Sequence, residues 1–335
     1  MQLAHPPRIA LAQLPTPLQR LERASERWGR GRRIWVKRDD LTGTALTGNK
    51  LRKLEFIAGH ARAHNIDTLI TCGGLQSNHC RATALVCAQL GLGCHLILRG
   101  EAPEDPDGNF LLDILSGAAI SCYPAETYVP GLTALFAHWV DHYRAQGRTP
   151  LCIPTGASDG LGIWGYIAAA EELARDMRSH GIDSATVVLA SGSGGTQAGL
   201  TLGAALLELP IRVVGMAVCD DAQWFIDKMA ADCADWSRRA GLAVPAGLQA
   251  VVNDRYIGPG YGRADPIVFQ RIAALARLEG LVLDPVYTGK AFHGLVEELS
   301  EGSLAAPGED VIFLHTGGLF GLFPQRHAAA AAVQT

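Results

Sequence analysis

No apolar run in this chain of 335 residues is long enough to cross a bilayer. The most apolar stretch, ATALVCAQLGLGCHLIL at 82–98, is interrupted by Gln89, Gly91, Gly93 and His95 and reads as helix, turn and strand. Neither sign of charge is in excess. There are 29 Lys and Arg against 33 Asp and Glu, and a formal net charge of -4 gives no electrostatic case for nucleic acid or an anionic membrane. The opening MQLAHPPRIALAQLPTP lacks a basic segment followed by an apolar core, so no secretion signal is expected and a cytoplasmic setting is. The eight cysteines form no C-x-x-C pair, and a chain of this size can bury a core without disulfides. Cys80, Cys87 and Cys94 are expected to be small apolar residues. His60 and His64, like His138 and His142, are four apart, but neither pair has a glutamate directly after its first histidine. No metal site is expected from them.

What the sequence does have is an alternation of apolar β-type runs with helical ones. RIWVK (33–37), TLITCGG (68–74), GCHLILR (93–99), ATVVLAS (185–191), IRVVGMAV (211–218), EGLVLDPV (279–286) and DVIFLHTGG (310–318) read as strands. KLEFIAGHARAH (53–64), NHCRATALVCAQL (78–90) and TQAGLTLGAALLEL (196–209) read as helices. Repeated strand–loop–helix units with continuously apolar strands predict an α/β protein with parallel sheets covered by helices. Ligands of such sheets collect where strand C-termini meet helix N-termini. The glycine-bearing strand ends near 73, 192, 289 and 317 are therefore expected to line one cleft.

Two glycine-rich loops carry the chemistry. GTALTGNKLRK (43–53) resembles a Walker A loop only in outline, because Asn49 intervenes before Lys50 and Leu51 replaces the metal-binding hydroxyl. SGSGGTQAG (191–199) follows a buried-type strand and opens a helix, which suits a phosphate held by backbone N–H groups and the helix dipole. Gln197 stands where a dinucleotide fingerprint needs its third glycine. A phosphate site, a lysine in a tight turn and no metal ligands together suggest pyridoxal 5'-phosphate (PLP). Lys50, crowded by Gly48 and Asn49, is the lysine expected to serve it; Lys53 is expected to be a solvated surface charge.

The blocks VKRDDLTG…TGNKLRKLEF (36–56), GGLQSNHCR (73–81), SGSGGTQAGL (191–200), GPGYG (258–262), DPVYTGKA (284–291) and HTGG (315–318) resemble the D-cysteine desulfhydrase / 1-aminocyclopropane-1-carboxylate (ACC) deaminase family. They occur in that family's order along nearly the whole chain. The resemblance implies two open, twisted, mostly parallel sheets with flanking helices and PLP in the cleft between domains, the fold type II of tryptophan synthase β. It implies a large domain of 1–49 and 163–335, a small domain of 50–162, and a homodimer. It further implies that Lys50 carries the cofactor and that Asn78 bonds its phenolic oxygen. Gly192, Ser193, Gly194, Gly195 and Thr196 would hold the phosphate. Ser77, with Gln76 or His79, would meet the substrate carboxylate, and Tyr287 and Tyr261 would sit against cofactor and substrate.

ACC deaminases typically carry a glutamate after the tyrosine of the DPVYTGKA block and a leucine before the late glycine pair; this chain has Thr288 and Thr316. Both match the D-cysteine desulfhydrase side, with Thr316 the expected partner of the ring nitrogen and Thr288 close by. The implied reaction is β-elimination on a small amino acid, D-cysteine giving pyruvate, ammonia and hydrogen sulfide, with the freed Lys50 amine as base and Tyr287 or Tyr261 moving a proton. L-cysteate sulfo-lyase, ACC deamination and β-replacement are the alternatives within the class. A phosphometabolite-binding protein without chemistry is the alternative outside it. Three departures from relatives stand out: Thr47 in place of a second glycine, Gln197 where some members have histidine, and LFGLF at 319–323, adjacent to the expected pocket.

Overall fold

A computed structural model describes residues 3–334; the outermost residues of the expected large domain, 1–2 and 335, lie outside it. In chain order the elements are β1 (Leu18–Arg20), α1 (Glu22–Trp28), β2 (Ile34–Lys37), α2 (Asn49–Ala63), β3 (Thr68–Gly74), α3 (Asn78–Leu90) and β4 (Gly93–Arg99). Next come α4 (Gly108–Leu115), β5 (Ala119–Tyr123), α5 (Ala125–Ala145), β6 (Pro150–Ile153), α6 (Trp164–His180), β7 (Ala185–Ser191) and α7 (Gly195–Leu206). The chain closes with β8 (Ile211–Ala217), α8 (Ala222–Ala240), β9 (Val251–Asn253), α9 (Pro266–Glu279), α10 (Thr288–Glu301), β10 (Asp310–Leu314) and α11 (Arg326–Gln334).

Two sheets result. One has the order β1-β2-β10-β7-β8-β9, parallel except for the antiparallel edge pair β1–β2. The other, β5-β4-β3-β6, is parallel throughout and drawn wholly from residues 68–153. Every residue of β7 and β10 is buried, as expected of central strands covered by helices on both faces. Val188, Val214 and Phe313 pack on one face of the larger sheet, and Val187, Val213 and Ile312 on the other. Strand alternation thus feeds two separate cores.

The strands expected at 68–74, 93–99 and 185–191 and the helix expected at 78–90 have those bounds. The run at 279–286 does not form a strand. Its Leu281, Leu283 and Val286 are buried, yet the backbone there pairs with no sheet strand, so apolarity marked burial rather than β-structure.

A buried charge cluster ties α2 to β2 of the larger sheet and to α6. Arg52 Nη2 lies 2.7 Å from Asp39 Oδ1 and 3.0 Å from Glu172 Oε1, and Lys37 Nζ binds Glu172 and Asp176. The two cations pull the Glu172 carboxyl down to about 2 against its burial, so Glu172 is ionised at neutral pH. The cluster links α2, β2, α6 and the turn after β2, and so holds the first turn of α2 in place.

Candidate active site

The C-terminal ends of β3, β4, β7 and β10 open onto a single cavity of about 310 Å³. This is the position that parallel sheets offer to ligands, and the volume is in the range of small-molecule sites. Gly73, Gly192 and Gly317 line it, as expected from the strand ends; Gly289 does not.

Lys50 reaches the cavity from the first turn of α2, its Nζ 3.3 Å from Asn49 Oδ1. Burial, reinforced by the charge of Arg81 and opposed by Asp284, lowers its pKa to about 8. The turn before it is tight because Gly48 sits at φ 97°, where a β-carbon would come within 2.7 Å of the Thr316 carbonyl. That carbonyl accepts the Asn49 N–H at 3.1 Å, which ties the Lys50 turn to the HTGG loop 267 residues on.

Helix α7 points its N-terminus at the same space. Gly192, Ser193, Gly194 and Thr196 line the cavity, and Asn49 Nδ2 donates to Thr196 Oγ1 at 2.9 Å. Gly195 stands behind them: its N–H donates to Ser158 Oγ, and a β-carbon there would meet Ser158 Oγ at 2.6 Å and Lys53 Nζ at 2.7 Å. Gly192 leaves room for the ring of Tyr287, which a β-carbon would approach to 2.8 Å.

Lys53 is not the solvated surface charge expected from the sequence. It is fully buried directly behind the α7 loop, with Nζ 3.1 Å from the Gly156 carbonyl and 3.4 Å from Ser158 Oγ. It makes no ion pair among the described residues, and burial, with Lys50 adding, pushes its pKa well below the ordinary lysine value. The i, i+3 spacing of Lys50 and Lys53 on one helix was the signal that both could serve one site.

Ser77, Asn78 and His79 begin α3 at the cavity wall. Ser77 Oγ caps the helix by accepting the Cys80 N–H at 3.2 Å. His79 is buried and held neutral, its Nε2 2.7 Å from Thr71 Oγ1, and burial keeps its pKa well down. Gln76 does not line the cavity. Its Oε1 accepts the Asn109 N–H and its Nε2 donates to the Asp107 carbonyl, so it secures the start of α4.

Tyr261 and Tyr287 both line the cavity, as does Thr316, whose hydroxyl has no protein partner among the described residues. Thr288 does not line it. Its hydroxyl donates to Asp284 Oδ1 at 2.6 Å and accepts the Asp284 N–H at 2.9 Å, so both are spent on starting α10. Arg99, at the end of β4, lines the cavity 5.4 Å from the Tyr261 ring and 6.0 Å from that of Tyr128 and makes no ion pair among the described residues. The 319–323 segment forms tight turns outside the cavity lining, with Arg81 over the ring of Phe320 at 5.0 Å. Among the described cysteines, Cys80 and Cys87 are buried as expected, while Cys94 is half-buried.

A cleft between two mostly parallel sheets, with a lysine of lowered pKa facing a glycine loop at a helix N-terminus, defines a class of cofactor-dependent α/β enzyme. The chain belongs to the family described as pyridoxal-phosphate dependent enzymes, whose model matches residues 9–317. It is 40% identical to the mitochondrial bifunctional D-cysteine desulfhydrase/1-aminocyclopropane-1-carboxylate deaminase of Arabidopsis thaliana, over 94% of this chain and 79% of that protein. It is 38% identical to a D-cysteine desulfhydrase of Klebsiella pneumoniae, over 95% of each chain. A crystallised ACC deaminase homologue superposes with a TM-score of 0.87 at 36% identity, over 98% of this chain and 96% of that one.

The cavity fits pyridoxal phosphate. Unspent polar groups line it: the Thr316 hydroxyl, the Asn78 amide NH₂ and the backbone N–H groups of Gly194 and Thr196 at the N-terminus of α7. The fully buried Lys53 behind that N-terminus makes no ion pair among the described residues, and an anionic phosphate would supply a close counter-charge.

Proposed function

We propose that this enzyme catalyses β-elimination on a small amino acid with a sulfur leaving group, foremost D-cysteine, which with water gives pyruvate, ammonia and hydrogen sulfide. The observation that carries the reading is the meeting, in one cavity, of a lysine with pKa about 8 and a pair of protonated tyrosines. A base with its pKa near the working pH and nearby acids of high pKa are what removal of a Cα proton and departure of a thiolate require.

Lys50 would hold the cofactor, Ser193, Gly194 and Thr196 its phosphate with Lys53 behind them, Asn78 its phenolic oxygen and Thr316 its ring nitrogen. When bound, the cofactor supplies the electron sink for the Cα electrons. Ser77 and the first turn of α3 bind the substrate carboxylate and orient Cα. Lys50 Nζ takes the Cα proton, and the tyrosine pair returns a proton to the leaving sulfur. A threonine hydroxyl as the partner of the ring nitrogen, rather than a glutamate, supports a weaker sink, sufficient for a thiolate or sulfite to leave and poorly suited to opening a cyclopropane. This favours D-cysteine or L-cysteate over ACC.

We infer with it the division into a large domain of 1–49 and 163–335 and a small domain of 50–162, a homodimeric assembly and a cytoplasmic setting. Among the described residues no helix is long and apolar enough to cross a membrane. The deciding experiment is the visible spectrum of the purified protein, followed by D-cysteine, L-cysteine, L-cysteate and ACC in turn with a pyruvate assay. A yellow protein that releases pyruvate and sulfide from D-cysteine supports the reading; release only from L-cysteate makes it a sulfo-lyase. A protein that takes up no PLP overturns it.

A further inference from the structure

Asn109 is fully buried in the first turn of α4 and does not itself line the cavity. Its Nδ2 donates twice, to the Gln76 carbonyl at 3.0 Å and to Asn78 Oδ1 at 2.9 Å. The Gln76 carbonyl is a backbone acceptor that cannot exchange roles, so it fixes which end of the Asn109 amide is NH₂. The second Asn109 hydrogen then fixes the Asn78 amide, because only an oxygen can accept it. What remains of Asn78 is its NH₂, which has no protein partner among the described residues and lies in the cavity wall. The cost is visible at the other end: Asn109 Oδ1 is buried with no hydrogen-bond partner. The α4 backbone is held separately, the Asn109 N–H donating to Gln76 Oε1 at 2.8 Å, so the side chain is not required for that link.

We propose that Asn109 is a positioning residue that locks the Asn78 amide with its donor toward the cavity. A free asparagine could present either its NH₂ or its oxygen to the ligand. The lock removes the second choice, so an anionic oxygen meets a preoriented donor rather than a repelling acceptor. The proposal rests on the reading of Asn78 as the partner of the cofactor's phenolic oxygen, and it specifies what fixes that partner.

The test uses the full-length enzyme with PLP in four forms: wild type, N109D, N78A and the double variant, with N109A as a further single variant. Two quantities are read, the dissociation constant for PLP and the pH midpoint of the visible absorption band. An aspartate at 109 offers an acceptor where Asn78 now finds a donor, and so turns the Asn78 oxygen to the cavity. N109D should weaken PLP binding by about tenfold or more and shift the midpoint, as expected for loss of a hydrogen bond to a charged oxygen. N109A, which only frees Asn78 to rotate, should do less. In the N78A background N109D should add nothing to either quantity. The proposal is overturned if N109D matches wild type, if N109A is as harmful as N109D, or if the N109D effect persists in full without Asn78. A wild type that takes up no PLP removes the reading of the site together with the proposal, whereas a wild type that binds PLP beside an N109D that binds equally removes the proposal alone.

Discussion

The hydroxyls of Tyr261 and Tyr287 lie 2.7 Å apart, with the two rings edge to face at a centroid separation of 6.0 Å. One hydroxyl donates to the other, and the acceptor keeps its own O–H for the cavity. Burial raises both pKa values, that of Tyr287 well above the ordinary tyrosine value, with Tyr261 adding to the effect. Both are therefore protonated at neutral pH and, in the proposed reaction, would act together as an acid. Y261F and Y287F should each lower kcat for D-cysteine by about a hundred- to ten-thousand-fold, and the double variant should lose no more than the worse single one. Losses that multiply would mean that the two hydroxyls act separately.

As the proposed cofactor lysine, Lys50 would set a pH threshold for loading. Its amine reacts only when uncharged, and with a pKa near 8 the ammonium form predominates below that value. The rate at which PLP-stripped protein regains its visible colour should rise with pH through about 8 and level off above it. Lys50→Ala should stay colourless at every pH. A flat rate from pH 6 to 9 would contradict the lowered pKa.

Lys53 should matter for the phosphate and not for proton transfer. Its amine is buried behind the α7 loop without an ion pair among the described residues, and a bound phosphate would favour its charged form. K53M should raise the dissociation constant for PLP about ten- to a hundred-fold, as for loss of a charge-assisted contact, and should abolish competition by inorganic phosphate. Unchanged competition by phosphate in K53M would remove Lys53 from the site.

Asp113 gives stability a pH dependence remote from the chemistry. Both its carboxyl oxygens are buried without partners, and burial, opposed by the charge of Arg81, raises its pKa from 3.8 to about 8. The folded state thus holds this proton more tightly than the unfolded state. Its stabilising contribution is complete below about pH 4 and is lost as pH rises toward 8. Asparagine mimics the protonated acid and cannot ionise. The Tm of D113N minus that of the wild type should therefore grow between pH 5 and pH 8, as read by differential scanning calorimetry. A pH-independent difference would place the Asp113 pKa at its ordinary value.

The sequence by itself determined the alternation of buried strands and helices, the two glycine loops and the order of the motif blocks, because each is written in neighbouring residues. Strands β3, β4 and β7 and helix α3 were legible to the residue for that reason. Periodicity and turn chemistry are local, and a buried parallel strand declares itself by continuous apolarity. The cavity was legible only as an expectation that strand ends converge.

Only the tertiary structure decided which polar groups were already spent. Thr288 was expected close to Thr316 at the ring nitrogen, but Asp284 consumes the hydroxyl of Thr288 while that of Thr316 lies in the cavity wall. Lys53 looked like any surface lysine until α7, 142 residues later, closed over it. Gln76 stood beside the expected carboxylate site, yet its side chain serves α4. Asn109 lies in no motif and gained its contact with Asn78 only by folding across 31 residues. A hydrogen bond uses up a donor or an acceptor wherever along the chain its partner comes from, and no local pattern records that.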